Sequence, residues 1–229
     1  MKRIAFYGGS FDPLHNGHLT IARKLIRLFK LDEVVFVPAF HAPHKKDKNP
    51  TSAFHRYAML CLATNGLPNI KVSKLELDAP TKPYTVETLL RLKDELTDTQ
   101  IFFVMGADSW AEITTWREWE KVLTLVNIIV VTRPAYPIGF THVTREIRER
   151  IFDLRGKIQD SRFKIQSLKP GILNLKLGTE KEQIYITDIV NLDISATEIR
   201  RKMREKEYDW RELVPNEVAK YIEKYDIYY

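Results

Sequence analysis

The stretch Gly8-Gly9-Ser10-Phe11-Asp12-Pro13-Leu14-His15-Asn16-Gly17-His18 decides how this chain is read. It follows Ile4-Ala5-Phe6-Tyr7, a short apolar run that reads as a buried strand. It precedes Leu19 to Phe29, whose apolar residues recur at helical spacing. A glycine-rich turn therefore joins a strand to a helix N-terminus, where backbone N–H groups and the helix dipole favour phosphate. Gly8 and Gly9 carry no side chain, so a ligand can approach their backbone closely. His15 and His18 stand three apart and share a face if the first helical turn includes His15. Two imidazoles beside such a turn can donate hydrogen bonds to charge that develops in phosphoryl or nucleotidyl transfer.

Working outward, apolar strand-like runs alternate with helical patterns through the first 133 residues. Glu33 to Val37 is a strand ended by Pro38, and Ala39 to Pro50 a loop. A helix from Ala53 to about Asn65, capped by Thr51 or Ser52, is stopped by Gly66. Ile70 to Leu77 alternates as a strand does, and Val86 to Leu96 is helical with Thr85 a candidate N-cap. Ile101 to Met105 is a central strand, Trp116 to Leu125 a helical patch, and Ile128 to Val131 a strand. This succession predicts an α/β, Rossmann-like, doubly wound parallel sheet, whose ligands bind outside the strand carboxyl ends.

From Pro134 to about Gln183 the pattern changes: 143–154 reads as helix, and 163–168 with 172–177 as a hairpin around Lys169-Pro170-Gly171. Alternation resumes at Ile184 to Val190, followed by helices over Ser195 to Glu205 and Asn216 to Tyr225. The expectation is one domain over 1–229 with a helix/hairpin elaboration at about 135–183, at the edge of the sheet. That elaboration is expected to serve as a subunit contact or a partial lid, which makes a homo-oligomer one reading of it.

Composition narrows the class. With 229 residues, 44% hydrophobic and 29% charged, the chain reads as a soluble globular protein large enough to bury a core. Its single cysteine, Cys61, cannot form an internal disulfide and lies in an apolar stretch, which suits a reducing cytoplasm. No apolar run approaches a membrane span, and the first residues enter a strand instead of a signal peptide. Residues 135–183 hold ten Lys+Arg against six Asp+Glu, so much of the net charge of +6 is confined there. Without an RNA-binding motif, that bias indicates a solvated surface or anionic small substrates, not a nucleic acid.

The opening string resembles the signature of the HxGH nucleotidyltransferases, and its full form is similar to the nicotinate-mononucleotide adenylyltransferases. The resemblance covers most of the chain apart from 135–183. At its far end, Asp193-Ile194-Ser195-Ala196-Thr197-Glu198-Ile199-Arg200 is similar to the family's ISxTxIR element. Read locally, Ser195-x-x-Glu198 is a capping box; a capped N-terminus still leaves N–H groups to meet phosphate, and Arg200 adds a forked permanent charge. His15, His18 and Arg200 take the catalytic roles that the resemblance implies. It also places Gly8, Gly9, Ser10, Phe11, Ile194, Ser195 and Thr197 around ATP. Gly106-Ala107-Asp108 follows a central strand, where a carboxylate commonly accepts from ribose hydroxyls, and the family's Gly-Ala-Asp element supports Asp108 in that role.

On the acceptor side, His41-Ala42-Pro43-His44-Lys45 resembles a loop that meets the mononucleotide phosphate, with Lys45 chosen by motif position. Lys82-Pro83-Tyr84-Thr85-Val86-Glu87-Thr88-Leu89 is similar to the family's Tyr-Thr segment, where a pyridine ring is recognised, although Thr85 serves equally as an N-cap. Trp116 and Trp119 lie three apart, and the resemblance favours Trp116 stacking on nicotinate; a core pair is the plain alternative. Arg133, at a strand end, is either a nucleotide contact or a surface arginine. Asp12-x-x-His15-x-x-His18 can be drawn as a zinc site, but phosphate chemistry already accounts for both histidines, and Asp12 reads better as shaping the turn.

The resemblance implies transfer of AMP from ATP to nicotinate mononucleotide, giving deamido-NAD and pyrophosphate. Mg2+ carried with ATP is the expected cofactor, with no metal site of the protein's own. Two readings stay open from the residues: a sibling transferase for nicotinamide mononucleotide or phosphopantetheine, and a non-catalytic RNA-binding module.

Overall fold

A computed structural model describes residues 1–40, 51–79, 81, 83–132, 137–157, 181–190 and 192–228. Its strands are β1 (Lys2–Gly9), β2 (Glu33–Pro38), β3 (Ile70–Val72), β4 (Thr99–Gly106), β5 (Asn127–Val131), β6 (Ile151–Asp153) and β7 (Ile184–Thr187). The helices are α1 (Asn16–Phe29), α2 (Ala53–Thr64), α3 (Thr85–Glu95), α4 (Ala107–Ala111), α5 (Trp119–Leu125), α6 (Arg145–Arg148), α7 (Ala196–Arg204), α8 (Trp210–Leu213) and α9 (Asn216–Lys224). Among the described residues the seven strands form one sheet in the order β3-β2-β1-β4-β5-β7-β6. Every neighbouring pair is parallel. The doubly wound parallel sheet expected from the sequence is the one observed.

Alternate strand residues feed two cores, as the two-residue period of a strand demands. Ala5, Tyr7, Phe36, Phe102 and Val104 face α1, α2, α7 and α9. Ile4, Phe6, Val37, Phe103 and Met105 face α3, α4 and α5. Strands covered on both faces read as continuous apolar runs, which is why Ile101 to Met105 and Ile128 to Val131 were legible. The helix α1 buries Leu25 and Phe29 completely. Each such side chain contributes about 1.5–3 kcal/mol of burial.

Strand order reverses between β1 and β4. From β1 the chain winds outward through β2 and β3, then returns to β1's other side for β4 and continues to β5. A crevice opens outside the carboxyl ends of β1 and β4 at such a switch point. Those ends are Gly9 and Gly106.

Several sequence expectations are corrected. The helix over 143–154 is only four residues long, because Ile151–Asp153 joins the sheet as β6, an edge strand parallel to β7. The strand over Ile70 to Leu77 stops at Val72, where a turn follows, and the strand over Ile184 to Val190 stops at Thr187. The helix over Trp116 to Leu125 begins at Trp119, with Glu118 at φ +49° as N-cap. Trp116 instead ends a 3-10 turn of Ile113–Thr115, so the two tryptophans do not share a helical face. Ser52 occupies the N-cap position of α2 but its hydroxyl caps nothing. The expected hairpin at 163–177 lies outside the described residues.

Candidate active site

The turn after β1 is tightly packed. A side-chain carbon at Gly8 would stand 2.8 Å from the Phe103 ring, and one at Gly106 2.5 Å from Asp108 Oδ1. Phe11 has φ +49°, a left-handed conformation that costs a side-chain-bearing residue roughly 1–2 kcal/mol. Its ring holds it there, edge-on to Tyr7, Phe36 and His18 with centroids 5.5, 5.1 and 5.0 Å away. The turn is thus built for one conformation, with its backbone open to the cleft.

His15 is the N-cap of α1, and His18 is its third helical residue. Their rings stack, with centroids 3.7 Å apart and planes 26° apart, and both residues are buried. The His15 N–H donates to His18 Nδ1 at 3.3 Å. Nδ1 is therefore an acceptor, and in the neutral ring the proton sits on Nε2, which makes Nε2 a donor. A pair of histidines at a helix N-terminus can hold and stabilise anionic oxygens.

A buried guanidinium, absent from the sequence reading, braces this turn. Arg56 on α2 donates from Nη1 to the Ser10 carbonyl (2.6 Å), from Nη2 to Ala39 (2.7 Å) and from Nε to Thr51 (2.9 Å). It is 1% exposed. Three carbonyls from three segments thus satisfy one buried cation, and the glycine turn, the end of β2 and the start of α2 are held together. An arginine within an otherwise apolar helical stretch was the available signal.

The far end of the chain meets the same turn. Ser195 is the N-cap of α7, its Oγ accepting from the Glu198 N–H at 3.1 Å. The capping box expected there is only half made, because the Glu198 carboxylate pairs with Arg201 at 2.6 and 2.9 Å instead. From the same helix Arg200 Nη1 donates to the Asp12 carbonyl and lies 3.9 Å from Asp12 Oδ2, while Nη2 approaches Thr197 Oγ1 at 3.4 Å.

Across the cleft, Tyr84 and not Thr85 is the N-cap of α3, because Glu87 reaches back to accept the Tyr84 N–H at 2.9 Å. Thr85, the first helical residue, lines the cleft. The Arg117 guanidinium sits 4.8 Å from the centre of the Tyr84 ring. Trp116 and Trp119 both pack against the core, and Trp116 also lines the cleft. Glu76, unmarked by the sequence reading, faces the same space; it accepts from the Phe40 N–H at 3.2 Å and the Thr88 hydroxyl at 3.3 Å. Burial pushes its carboxyl up to about 7.

These walls enclose one cleft of about 530 Å³. Gly8, Gly9, Ser10, Phe11, His15 and His18 line it beside Gly106, Asp108, Ser195, Thr197 and Arg200, with Tyr84, Thr85 and Trp116 also on its wall. The Cytidylyltransferase-like family model matches residues 6–202. The chain is 34% identical over 222 residues to a Nocardioides sp. protein named "Probable nicotinate-nucleotide adenylyltransferase", covering 96% of this chain and 91% of that one. A Desulfatibacillum aliphaticivorans protein of the same name is 34% identical over 228 residues, covering 99% of each. The chain belongs to the nicotinate-nucleotide adenylyltransferase family.

A solved structure of Plasmodium falciparum nicotinic acid mononucleotide adenylyltransferase complexed with NaAD has the same fold. It superposes with a TM-score of 0.69 at 22% identity, covering 100% of this chain and 98% of that one. In this adenylyltransferase-family chain, Lys45 and Arg133 lie outside the described residues. Ile194 packs against the core beside Gly17 and is not among the cleft-lining residues.

Proposed function

We infer that this chain transfers the adenylyl group of ATP to nicotinate mononucleotide, forming deamido-NAD and pyrophosphate in NAD biosynthesis. One observation carries the reading: the glycine turn with its stacked histidines and the Ser195–Arg200 segment converge on one cleft, whose wall also carries Tyr84, Thr85 and Trp116. A triphosphate gripped from two sides fits the first two, and a flat heteroaromatic ring fits the third.

In this reading an oxygen of the acceptor's phosphate attacks the α-phosphorus of ATP in line. The bond between that phosphorus and the bridging oxygen to the β-phosphate breaks, and pyrophosphate leaves with its electron pair. No covalent enzyme intermediate is needed, so catalysis consists of positioning and charge stabilisation. His15 and His18 hold the triphosphate and donate to charge growing at the α-phosphate. The N–H groups of Ser10 and Phe11 approach the phosphates, made accessible by the absence of side chains at Gly8 and Gly9. Ser195, Thr197 and Arg200, at the first turns of α7, steady the leaving pyrophosphate. Gly106 gives the adenosine close backbone approach, and Asp108 accepts from its ribose. Thr85 and Tyr84 contact the pyridine substituent and Trp116 stacks on the ring. Lys45 and Arg133 are assigned to the mononucleotide on their sequence motifs alone.

Mg2+ is the cofactor of this reading. Among the described residues no cluster of three or more His, Cys, Asp or Glu could hold a metal. In this reading the ion would arrive on ATP. Bound there, Mg2+ disperses triphosphate charge; the side chains above do the positioning.

The test is pyrophosphate release and dinucleotide formation by the purified chain with ATP, comparing nicotinate with nicotinamide mononucleotide. A kcat/KM at least tenfold higher for nicotinate mononucleotide is expected. Preference for the amide would reassign the acceptor, and absence of release with either would remove the reading.

A further inference from the structure

Beyond α9 the chain packs on the core beneath the turn that carries Asp12. Ile227 donates its N–H to Ile222 at 3.1 Å, and Tyr228, at φ +77°, brings its hydroxyl to 2.5 Å from Asp12 Oδ1. These two residues are 216 positions apart. Asp12 is itself buried and lines the cleft immediately before the histidine pair. Its other carboxylate oxygen accepts the Thr51 N–H at 3.3 Å, and its carbonyl accepts from Arg200.

Each oxygen of Asp12 is thus occupied from a different segment of the chain. The geometry points to Tyr228 as a positioning residue: through Asp12 it sets where the Arg200 guanidinium sits in the cleft. This rests on the adenylyl-transfer reading, which supplies both Arg200's part in the reaction and its contact with pyrophosphate. The physical reason is competition for one cation. Asp12 Oδ2 is 3.9 Å from Arg200 Nη1, close enough to attract it but too far for a hydrogen bond. A short hydrogen bond from a phenol disperses the carboxylate charge and fixes its rotamer. Burial and the neighbouring Asp12 charge hold the Tyr228 phenol well above the ordinary tyrosine range, so it stays a donor. The other charged neighbour, Arg56, is held in place by three of its five N–H groups, which donate to the Ser10, Ala39 and Thr51 carbonyls. Without the phenol hydroxyl, the carboxylate turns to its remaining cation, and Arg200 closes on Asp12 in place of pyrophosphate.

The experiment uses the full chain with Tyr228→Phe, which keeps the ring, and reads pyrophosphate affinity by calorimetry beside steady-state kinetics. Tyr228→Phe is expected to weaken pyrophosphate binding by roughly tenfold, the scale of one charge-assisted hydrogen bond. A similar fall is expected in kcat, with KM for the mononucleotide within twofold. In an Arg200→Ala background, or in Asp12→Asn, the same change should have less than a twofold further effect. An equal loss in every background would show that Tyr228 only supports the fold, and would overturn the inference. If pyrophosphate binding follows this pattern but no dinucleotide forms, the reaction assigned above fails while the positioning role stands.

Discussion

Arg200 on α7 donates to the main-chain carbonyl of Asp12, 188 residues earlier in the chain. The contact joins two sequence elements that lie at opposite ends of the chain. It also gives the guanidinium a fixed base: Nη1 is tied to the turn before His15, and Nη2 lies 3.4 Å from Thr197 Oγ1 on the cleft wall.

Arg200→Ala should lower kcat by about 10²–10³, the loss typical of one preorganised donor to a charge-developing oxygen. Arg200→Lys should recover only part of it, because an ammonium keeps the charge but cannot hold Asp12 and a phosphate with one planar fork. Pyrophosphate-release kinetics at saturating ATP check this; a lysine variant with full activity would leave charge, not geometry, as Arg200's contribution.

His18→Ala should reduce turnover by a comparable amount, about 2.7–4 kcal/mol in the transition state, with KM for ATP changed only a few-fold. The comparison is kcat against KM in one titration series. A variant that binds ATP far more weakly but turns over normally would place His18 in ground-state binding instead.

Arg56→Lys tests the brace under the glycine turn. A lysine ammonium cannot meet the Ser10, Ala39 and Thr51 carbonyls in the geometry of a guanidinium, so buried acceptors are left unpaired. A destabilisation of about 3 kcal/mol is expected. For a chain of this size that corresponds to a Tm lower by about 6–12 °C, read by calorimetry. An unchanged Tm would mean that the turn is held by the Phe11 packing alone.

Glu76 supplies a pH dependence. Its carboxyl is raised from 4.5 to about 7 in the folded chain by burial, against which the Phe40 N–H, the Thr88 hydroxyl and Arg56 act only partly. Between those two values the folded state holds a proton that the unfolded state has released, so this group's contribution to stability falls as pH rises from about 4.5 to 7 and is flat above. Glu76→Gln should therefore gain stability relative to the parent on going from pH 5 to pH 8, by a few kcal/mol at most. Paired denaturant melts at the two pH values measure it, and an identical difference at both would show that Glu76 titrates normally.

Much of the architecture was legible from residues alone. Strand, glycine turn and helix at the start, the buried runs of β4 and β5, and the Ser195 cap are set by short-range rules: side-chain periodicity, the steric freedom of glycine, and a hydroxyl near unsatisfied N–H groups. These rules act within a few residues, so they can be read in order along a chain. Where such rules compete locally, the outcome is set by contacts beyond them. Glu87 capped Tyr84 in place of Thr85, and Ile151–Asp153, apolar and flanked by charge, paired with β7 instead of continuing a helix.

What the sequence by itself determined is therefore the sheet, its helices and the chemical character of the residues at the strand ends. Only the tertiary structure decided which distant groups meet: Arg56 with Ser10, Arg200 and Tyr228 with Asp12, and Glu76 with Phe40 and Thr88. A buried polar atom must find a partner, but nothing in its own neighbourhood along the chain says which one. That choice is made when the segments pack, and here it determines how the cleft-lining side chains are aimed.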